Sequence, residues 1–169
     1  VLEERKAIQS RIHSSSEISE STKGRFYGEW IYLAIHMALS IPELRTPMAL
    51  AKRWNLRVDV VQKALDFLLE NGLITEDGGG YKAEPSRIHL EKSSPLITSH
   101  HTNWRLEALK SIDRKIPSHL HYSSVYSIAR VDAERIKEQI LELIEKNIEV
   151  VNPSAEETLY CNNIDFFEI

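Results

Sequence analysis

The sequence contains few of the features that mark secreted, membrane or disulfide-bonded proteins. Cys161 is its single cysteine, so no disulfide can form within the chain, and a reducing cytoplasmic compartment is the simplest expectation. No apolar run approaches the ~20 residues that a membrane-spanning helix needs, and the charged N-terminus is not typical of a signal peptide. The sequence therefore predicts a soluble cytoplasmic protein. Because the chain begins on Val1, we expect that a further N-terminal region precedes it.

Motifs for catalysis and for cofactor binding are also missing. No Walker loop, dinucleotide fingerprint, HExxH motif or nucleophile elbow occurs. The pair His100 and His101 and the pair His119 and His121 lack a third metal ligand at a useful spacing. Cys161 has no His or Asp beside it, which favours a small buried residue over a nucleophile. We therefore expect no enzyme activity, no catalytic residue, no metal and no cofactor.

An excess of basic residues is absent as well. The chain carries 21 Lys or Arg and 25 Asp or Glu, which gives a formal net charge of −4. This balance argues against nonspecific coating of nucleic acid, but it permits a local basic patch. With 169 residues, of which 42% are hydrophobic, the chain is long enough for one sizeable core or two small ones.

The sequence divides into three zones. Residues 1–25 suggest an N-terminal helix followed by a serine-rich linker. Residues 26–85 have the pattern of a winged helix-turn-helix domain, and residues 86–169 have the order helix, strand, long helix, strand. The predicted fold class is therefore α+β, with a winged helix-turn-helix followed by a helix-strand-helix-strand C-terminal domain.

The middle zone carries the most specific pattern. Apolar residues recur at helical spacing over residues 30–39, and Pro42 ends that helix. Thr46 provides an N-cap and Pro47 the favoured first position for a short helix that extends through Trp54. After a turn at Asn55 and Leu56, the next helix is predicted over residues 58–71. Gly72 suits its C-cap, and a hairpin with a glycine-rich tip over residues 75–80 follows.

The helix over residues 58–71 is expected to be the recognition helix. At 100° per residue its apolar side chains cover an arc wide enough for two stripes. The stripe that closes a three-helix core is Val61, Leu65 and Leu68, which leaves Gln62 and Asp66 exposed. The surplus stripe, expected to meet another part of the protein or a second subunit, is Val60, Ala64 and Phe67.

DNA readout needs cations near phosphate and a few side chains on base edges. The candidate DNA-binding residues lie at the short helix, the recognition helix and the wing: Thr46, Arg57, Gln62, Lys63, Tyr81 and Lys82, with Lys52 and Arg53 nearby. Gln62 suits adenine, and Arg57 suits guanine or phosphate. These residues predict a transcriptional regulator that binds double-stranded DNA.

An acidic arc on the recognition helix supports an alternative. It consists of Asp59, Asp66 and Glu70, and the span 28–87 contains seven Lys or Arg against eight Asp or Glu. Domains that rely on phosphate contacts are usually clearly basic. A winged helix that serves as a protein-interaction adaptor without DNA binding therefore stays open, although the acidic residues would also suit a solvated face paired with Lys63.

The C-terminal zone is expected to dimerise the protein or to receive a signal. A helix opens at Ser94 and Pro95, HYSSVYSI and TLYCNNIDFF have the pattern of strands, and Asp132 suits the N-cap of the long helix between them. The apolar stripe of that long helix exceeds what one small core needs: Ile136, Ile140, Leu143, Ile144, Ile148 and Val151. We therefore expect a homodimer, and a separate protein partner is a further possibility.

Several segments of the chain carry a resemblance to known sequences: Phe26-Tyr27, Trp30, Ala34-Ile35, LAKRWNLRVDVVQKALDFLLENGLI, His101, Trp104, Arg105, HYSSVYSI and LYCNNIDFFEI. Together they resemble an uncharacterised bacterial family that joins a winged-helix segment to a C-terminal domain of unknown function. The resemblance covers about residues 26–169 and implies a transcriptional regulator with no catalytic residue. The long-helix segment RIKEQILELIEKN departs from the basic, phenylalanine-containing segment expected of the family.

Overall fold

The computed structural model describes residues 18–85 and 94–169, and within these ranges the protein is α+β. The chain divides into two compact units, of which the first ends at His101 and the second comprises Thr102–Ile169. The α-helices are α1 (Glu20–Gly28), α2 (Trp30–Ala38), α3 (Pro47–Trp54), α4 (Val58–Glu70), α5 (Leu96–Arg114) and α6 (Arg130–Val151). A 3-10 helix (Pro42–Leu44) precedes α3, and strands β1 (Ile74–Asp77) and β2 (Gly80–Ala83) form an antiparallel pair. The helix predicted at the start of the chain lies outside the described residues.

Helix α1 occupies part of the segment that was expected to be a linker. Ser19 caps it, since its hydroxyl accepts a hydrogen bond from the Thr22 amide at 3.1 Å. Thr22 is buried and donates to the Asn71 side chain at 2.8 Å, and Phe26 is only 2% exposed. The expectation of a linker was wrong from Glu20 onward, because Ser19 caps a helix there and Glu20 lies in its first turn, where a negative charge suits the helix dipole.

Helices α2 and α3 confirm the two helices that the sequence predicts over residues 30–39 and from Pro47 through Trp54. Helix α2 ends at Ala38, four residues before Pro42, and the Thr46 hydroxyl accepts from the Ala49 amide at 3.3 Å at the start of α3. Asn55 takes the left-handed conformation, with φ of 52°, in the turn between α3 and α4. A non-glycine residue tolerates this conformation best when it is Asn or Asp, which explains the short connection.

Helix α4 has the predicted phase. Val61, Leu65 and Leu68 are fully buried, Asp66 is exposed, and Gln62 is half-buried rather than exposed. This orientation leaves the side of α4 that carries Asp66 toward solvent.

The surplus stripe of α4 is largely covered within the first unit. Ala64 is buried, and the Phe67 ring lies 4.8 Å from the Tyr32 ring with the Arg25 guanidinium 4.8 Å above it. Val60, which is 41% exposed, is left uncovered. The packing partners of Phe67 are thus α1 and α2, so Phe67 needs no second subunit to cover it.

The hairpin follows α4 after a glycine turn. Gly72 has φ of +67°, which an L residue adopts only with strain, and this allows Leu73 and Ile74 to turn back into the core. The strands extend further into the predicted tip than expected, because Asp77 pairs with Gly80 and leaves the two-residue turn Gly78-Gly79. Both turn glycines have positive φ, as a tight hairpin turn requires.

The second unit departs most from the prediction. Residues 116–129 and 155–169, which include both predicted C-terminal strands, contain no strand in the structure. A strand needs a neighbour to receive its backbone hydrogen bonds, and within the described residues neither segment pairs with the other or with the hairpin. The helix-strand-helix-strand order was therefore wrong for the single chain, although the two helices are present.

Two smaller expectations in the second unit were also wrong. Cys161 is exposed rather than buried, because the strand expected to bury it is absent. Helix α6 begins at Arg130 with Ala129 as its N-cap, so Asp132 lies inside the first turn, where it accepts from Arg135 at 3.1 Å. Among the described helices, none combines the length and the apolar character that crossing a bilayer requires.

Candidate nucleic-acid interface

The candidate interface is the surface formed by the start of α3, the exposed side of α4 and strand β2. Burial of Val61, Leu65 and Leu68 against the core directs the opposite side of α4 outward. The turn at Asn55 connects α3 directly to α4. The hairpin lies beside α4, and a hydrogen bond from the Gln62 side chain to the Tyr81 hydroxyl links the two. The sequence-predicted residues therefore lie on three elements that pack on one another.

Gln62 joins the helix to the hairpin. Its side-chain amide nitrogen donates to Asp66 Oδ1 at 2.8 Å and to the Tyr81 hydroxyl at 3.1 Å. The structure thus brings together two predicted DNA-binding residues and one member of the acidic arc. Bidentate pairing of Gln62 with adenine would require its amide group to exchange these partners for the base edge.

Arg57 is paired with the acidic arc at the start of α4. Its Nε donates to Asp59 Oδ1 at 2.8 Å and its second guanidinium nitrogen to Oδ2 at 3.0 Å. The Arg57 side chain is 82% exposed, and an exposed pair of this kind contributes only about 0–1 kcal/mol. A phosphate can therefore compete for Arg57 at small cost.

The remaining predicted residues lie toward solvent. Lys63 on α4 and Lys82 on β2 are exposed, and Lys82 faces Thr75 across the hairpin. Thr46 is exposed at the start of α3, where its hydroxyl oxygen is already the cap of that helix. Lys52 and Arg53 on α3 are exposed as well. The exposed cations therefore lie on several elements, one of which, α4, also carries the acidic arc.

Arg45 is a positioning residue that sequence reasoning missed. Its carbonyl oxygen accepts from the Tyr81 amide at 2.8 Å, and its Nε donates to the Leu39 carbonyl at 3.1 Å. A Cβ on Gly80 would lie 2.7 Å from that same carbonyl oxygen. The third successive glycine, Gly80, was the available signal, because the two-residue turn needs only Gly78 and Gly79 and a glycine within a strand often marks close approach of another backbone.

His36 ties α2 to the end of the hairpin. The residue is buried, and its Nε2 lies 3.2 Å from the Glu84 carbonyl oxygen. Burial lowers the pKa of His36 below the ordinary value of 6.5, and hydrogen bonds to the Glu84 and Leu73 carbonyls oppose part of that effect. Folding therefore favours the neutral imidazole.

The lowered pKa predicts that acid weakens the first unit. The folded-state pKa of His36 lies below 6.5, the ordinary value that applies to the unfolded chain. The neutral His36 side chain therefore contributes its full stability to the folded state above pH 6.5. This contribution is lost as the pH falls through the folded-state pKa. We expect His36→Gln, which keeps a donor but does not titrate, to reduce the slope of unfolding free energy against pH by up to about 1.4 kcal/mol per pH unit. Urea unfolding between pH 5 and 8 would measure this slope.

The control for His36 introduces the same residue at the next position of α2. Met37→Gln changes a side chain that is 50% exposed and carries no titrating group, so it should leave the slope unchanged. His100 has a lowered pKa from burial and from the nearby His101, so part of the slope should survive in His36→Gln. An unchanged slope in His36→Gln would contradict the assignment.

The second unit contains a separate polar cluster. Ser111 Oγ lies 2.7 Å from His119 Nδ1 and 3.2 Å from His121 Nε2, and all three side chains are accessible. No group of three or more His, Cys, Asp or Glu side chains suited to a metal ion is found in residues 18–85 and 94–169. The cluster is open to water, so it lacks the enclosed surroundings that raise the reactivity of a serine nucleophile.

Comparison with known proteins identifies a family but no characterised relative. A family described as a domain of unknown function (DUF4423) matches residues 9–169. No curated protein and no solved structure matches the chain. The family match extends across the first unit from residue 9 and through all of the second unit, so it includes the candidate interface.

Proposed function

The chain belongs to the DUF4423 family, and we propose that it is a DNA-binding transcriptional regulator whose winged helix-turn-helix comprises α2, α3, α4 and the β1–β2 hairpin. The observation that carries the proposal is the order and linkage of these elements. A short helix, a tight turn, a longer helix with one exposed side and a hairpin attached to it by Gln62 and Tyr81 follow in sequence. This is the order in which such modules present a recognition helix and a wing.

In this proposal α4 enters the major groove and the hairpin contacts the flanking backbone. Lys63, Lys82 and Arg57 neutralise phosphates, and the Tyr81 hydroxyl and the start of α3 at Thr46 add hydrogen bonds. Gln62 is the residue that reads a base edge, after release from Asp66. Phosphate contacts supply affinity, whereas the single base-reading side chain supplies sequence preference.

The other parts of the proposal concern location and assembly. A regulator of this kind acts in the cytoplasm, where the exposed Cys161 stays reduced. The second unit serves dimerisation or reception of a signal. Dimerisation suits DNA binding, because two recognition helices about one helical turn apart read two half-sites.

Substitutions on the exposed side of α4 and on the hairpin test the proposal. Lys82→Gln should weaken binding to all duplexes alike and reduce the slope of log K against log salt by about one unit. Gln62→Ala should change the preference among sequences by about 1–3 kcal/mol. Asp66→Asn should strengthen nonspecific binding, because it removes a negative charge near phosphate. Fluorescence anisotropy with labelled duplexes at two salt concentrations would measure all three.

A matched lysine in the second unit provides the control. The Lys110 side chain is 62% exposed and pairs with Glu107 on α5. Lys110→Gln removes the same charge as Lys82→Gln but should leave the salt slope unchanged. Wild-type protein that binds no duplex at about 50 mM salt, where electrostatic contacts are strongest, would exclude DNA binding by this chain.

The acidic arc favours a second candidate function, a protein-interaction adaptor. Asp59, Asp66 and Glu70 are exposed on the same helix that would meet DNA, and Val60 is exposed beside them. An adaptor predicts little DNA affinity in every variant at low salt. It also predicts that Asp66→Asn abolishes capture of a protein partner, whereas DNA binding predicts stronger nonspecific duplex affinity for the same variant.

A further inference from the structure

The second unit has an apolar surface without an apolar interior. No residue between Ser94 and Ile169 is buried, and helices α5 and α6 contain no buried side chain. Of the twenty-four large apolar side chains that are exposed in the described residues, twenty lie in the second unit. Ordering a chain of this length costs more conformational entropy than such sparse burial can offset. The second unit therefore needs a core supplied from outside the single chain.

The two strand-like segments have unused backbone groups as well as exposed side chains. Leu120, Tyr122 and Val125 are 91%, 83% and 82% exposed, and Tyr160 is 87% exposed. Across residues 120–128 and 155–169, within the part of the chain that the structure describes, no amide or carbonyl makes a backbone hydrogen bond. Their sequences favour β-structure, so they lack only neighbouring strands.

Helix α6 separates its apolar and acidic residues. At 100° per residue, its apolar stripe covers about 140°: Ile136, Ile140, Leu143, Ile144, Ile148 and Val151. On the opposite side, within about 80°, lie Glu134, Glu138, Glu142, Glu145 and Glu149. Two copies of α6 repel each other through the acidic side and can meet through the apolar stripe.

We propose that a second copy of this chain covers the apolar surface of the second unit, so that two copies of residues 102–169 form one shared core around a two-fold axis. A two-fold interface brings the same patch of each copy together, and the apolar stripe of α6 suits this arrangement. The extended segments 116–129 and 155–169 gain their strand neighbours from the other copy. This inference rests on the dimerisation role proposed above for the second unit and does not depend on DNA binding.

The exposed area is sufficient for a stable dimer. The exposed parts of Tyr122, Tyr160 and Phe167 alone amount to on the order of 500 Å², from the size of aromatic side chains. A standard interface buries about 800 Å² on each partner, and the seventeen other exposed apolar side chains supply the remainder. A unit that cannot fold alone needs a partner that is present whenever the chain is synthesised. A second copy of the same chain meets this requirement.

Sedimentation equilibrium of the full chain at micromolar concentration tests the dimer. The expected mass is twice the 19.5 kDa of one chain. Leu143→Gln with Ile148→Gln should raise the dissociation constant at least about 100-fold, because each lost contact occurs twice in a symmetric dimer. The matched control is Glu138→Gln with Glu145→Gln, which introduces the same residue on the acidic side of α6 and should leave the dimer intact.

The single cysteine allows a second measurement that needs no substitution. A nitroxide on Cys161 should give a dipolar signal between two labels in the wild-type dimer, and dilution with unlabelled protein should remove it. A wild-type mass of 19.5 kDa with no dipolar signal would overturn the proposal. If amides of residues 120–151 are nevertheless protected from hydrogen exchange in that monomer, the core is supplied within the chain; if they exchange freely, the unit has no folded core.

Discussion

Replacing Phe26 by alanine is expected to lower the free energy of unfolding of the first unit by about 3–5 kcal/mol. The Phe26 side chain is 2% exposed, and its ring makes edge contacts with Tyr27 at 5.2 Å and with His36 at 5.9 Å. Alanine at this position leaves a cavity between α1 and α2 and loses both aromatic contacts. Because a domain of this size is stabilised by only about 5–15 kcal/mol, the loss is a large fraction of the total.

Urea unfolding followed by tryptophan fluorescence would measure this effect. Trp30 and Trp54 lie in edge contact at 5.7 Å and report on the first unit. The control is Met37→Ala on α2, where the side chain is 50% exposed and the expected loss is below about 1 kcal/mol. If Phe26→Ala costs no more than Met37→Ala, α1 does not belong to the core of the first unit.

The helices of the first unit could be predicted because each carries a local signal. Thr46 and Pro47 fixed the start of α3, Gly72 marked the end of α4, and the period of Val61, Leu65 and Leu68 gave its orientation. These signals depend on backbone geometry and on burial of one helix face. Residues close to one another in the sequence determine both.

Contacts between distant residues could not be predicted in this way. Thr22 bonds to Asn71, and Arg25 stacks on Phe67, across more than forty positions of sequence. The same limit applies to Arg45, whose carbonyl oxygen accepts a hydrogen bond from the Tyr81 amide in the hairpin. Tertiary packing, rather than residue type, decides such contacts.

The strands predicted in the second unit illustrate a different limit. HYSSVYSI alternates polar and apolar residues as a half-buried strand does, but alternation specifies a face and not a partner. Strand pairing requires a second extended segment in register with the first. Among the described residues of a single chain, HYSSVYSI has no such neighbouring strand. The pattern and the structure agree if the partner belongs to a second copy, as proposed above.

A second large effect is expected for Gly80→Ala, which should destabilise the first unit by about 1–3 kcal/mol. The new Cβ would lie 2.7 Å from the Arg45 carbonyl oxygen and 3.4 Å from its carbonyl carbon. These are backbone atoms, so no rotamer change can relieve the contact, and β2 must move away from the 3-10 helix. The movement should break the hydrogen bond from the Tyr81 amide to Arg45, which is 2.8 Å long. Faster amide exchange at Tyr81, together with urea unfolding, would detect both changes.

Two variants show whether the backbone contact is the cause. Gly28→Ala adds the same methyl group at the end of α1, where no atom lies within 4 Å, so its expected effect is within about 0.5 kcal/mol. Truncating Arg45 to glycine removes its Cβ, which lies 3.3 Å from the new methyl, but leaves the carbonyl oxygen in place. Gly80→Ala should therefore remain destabilising in the Arg45→Gly background. Full recovery of stability in that double variant would assign the conflict to the Arg45 side chain and would contradict the proposed role of its carbonyl in holding the hairpin.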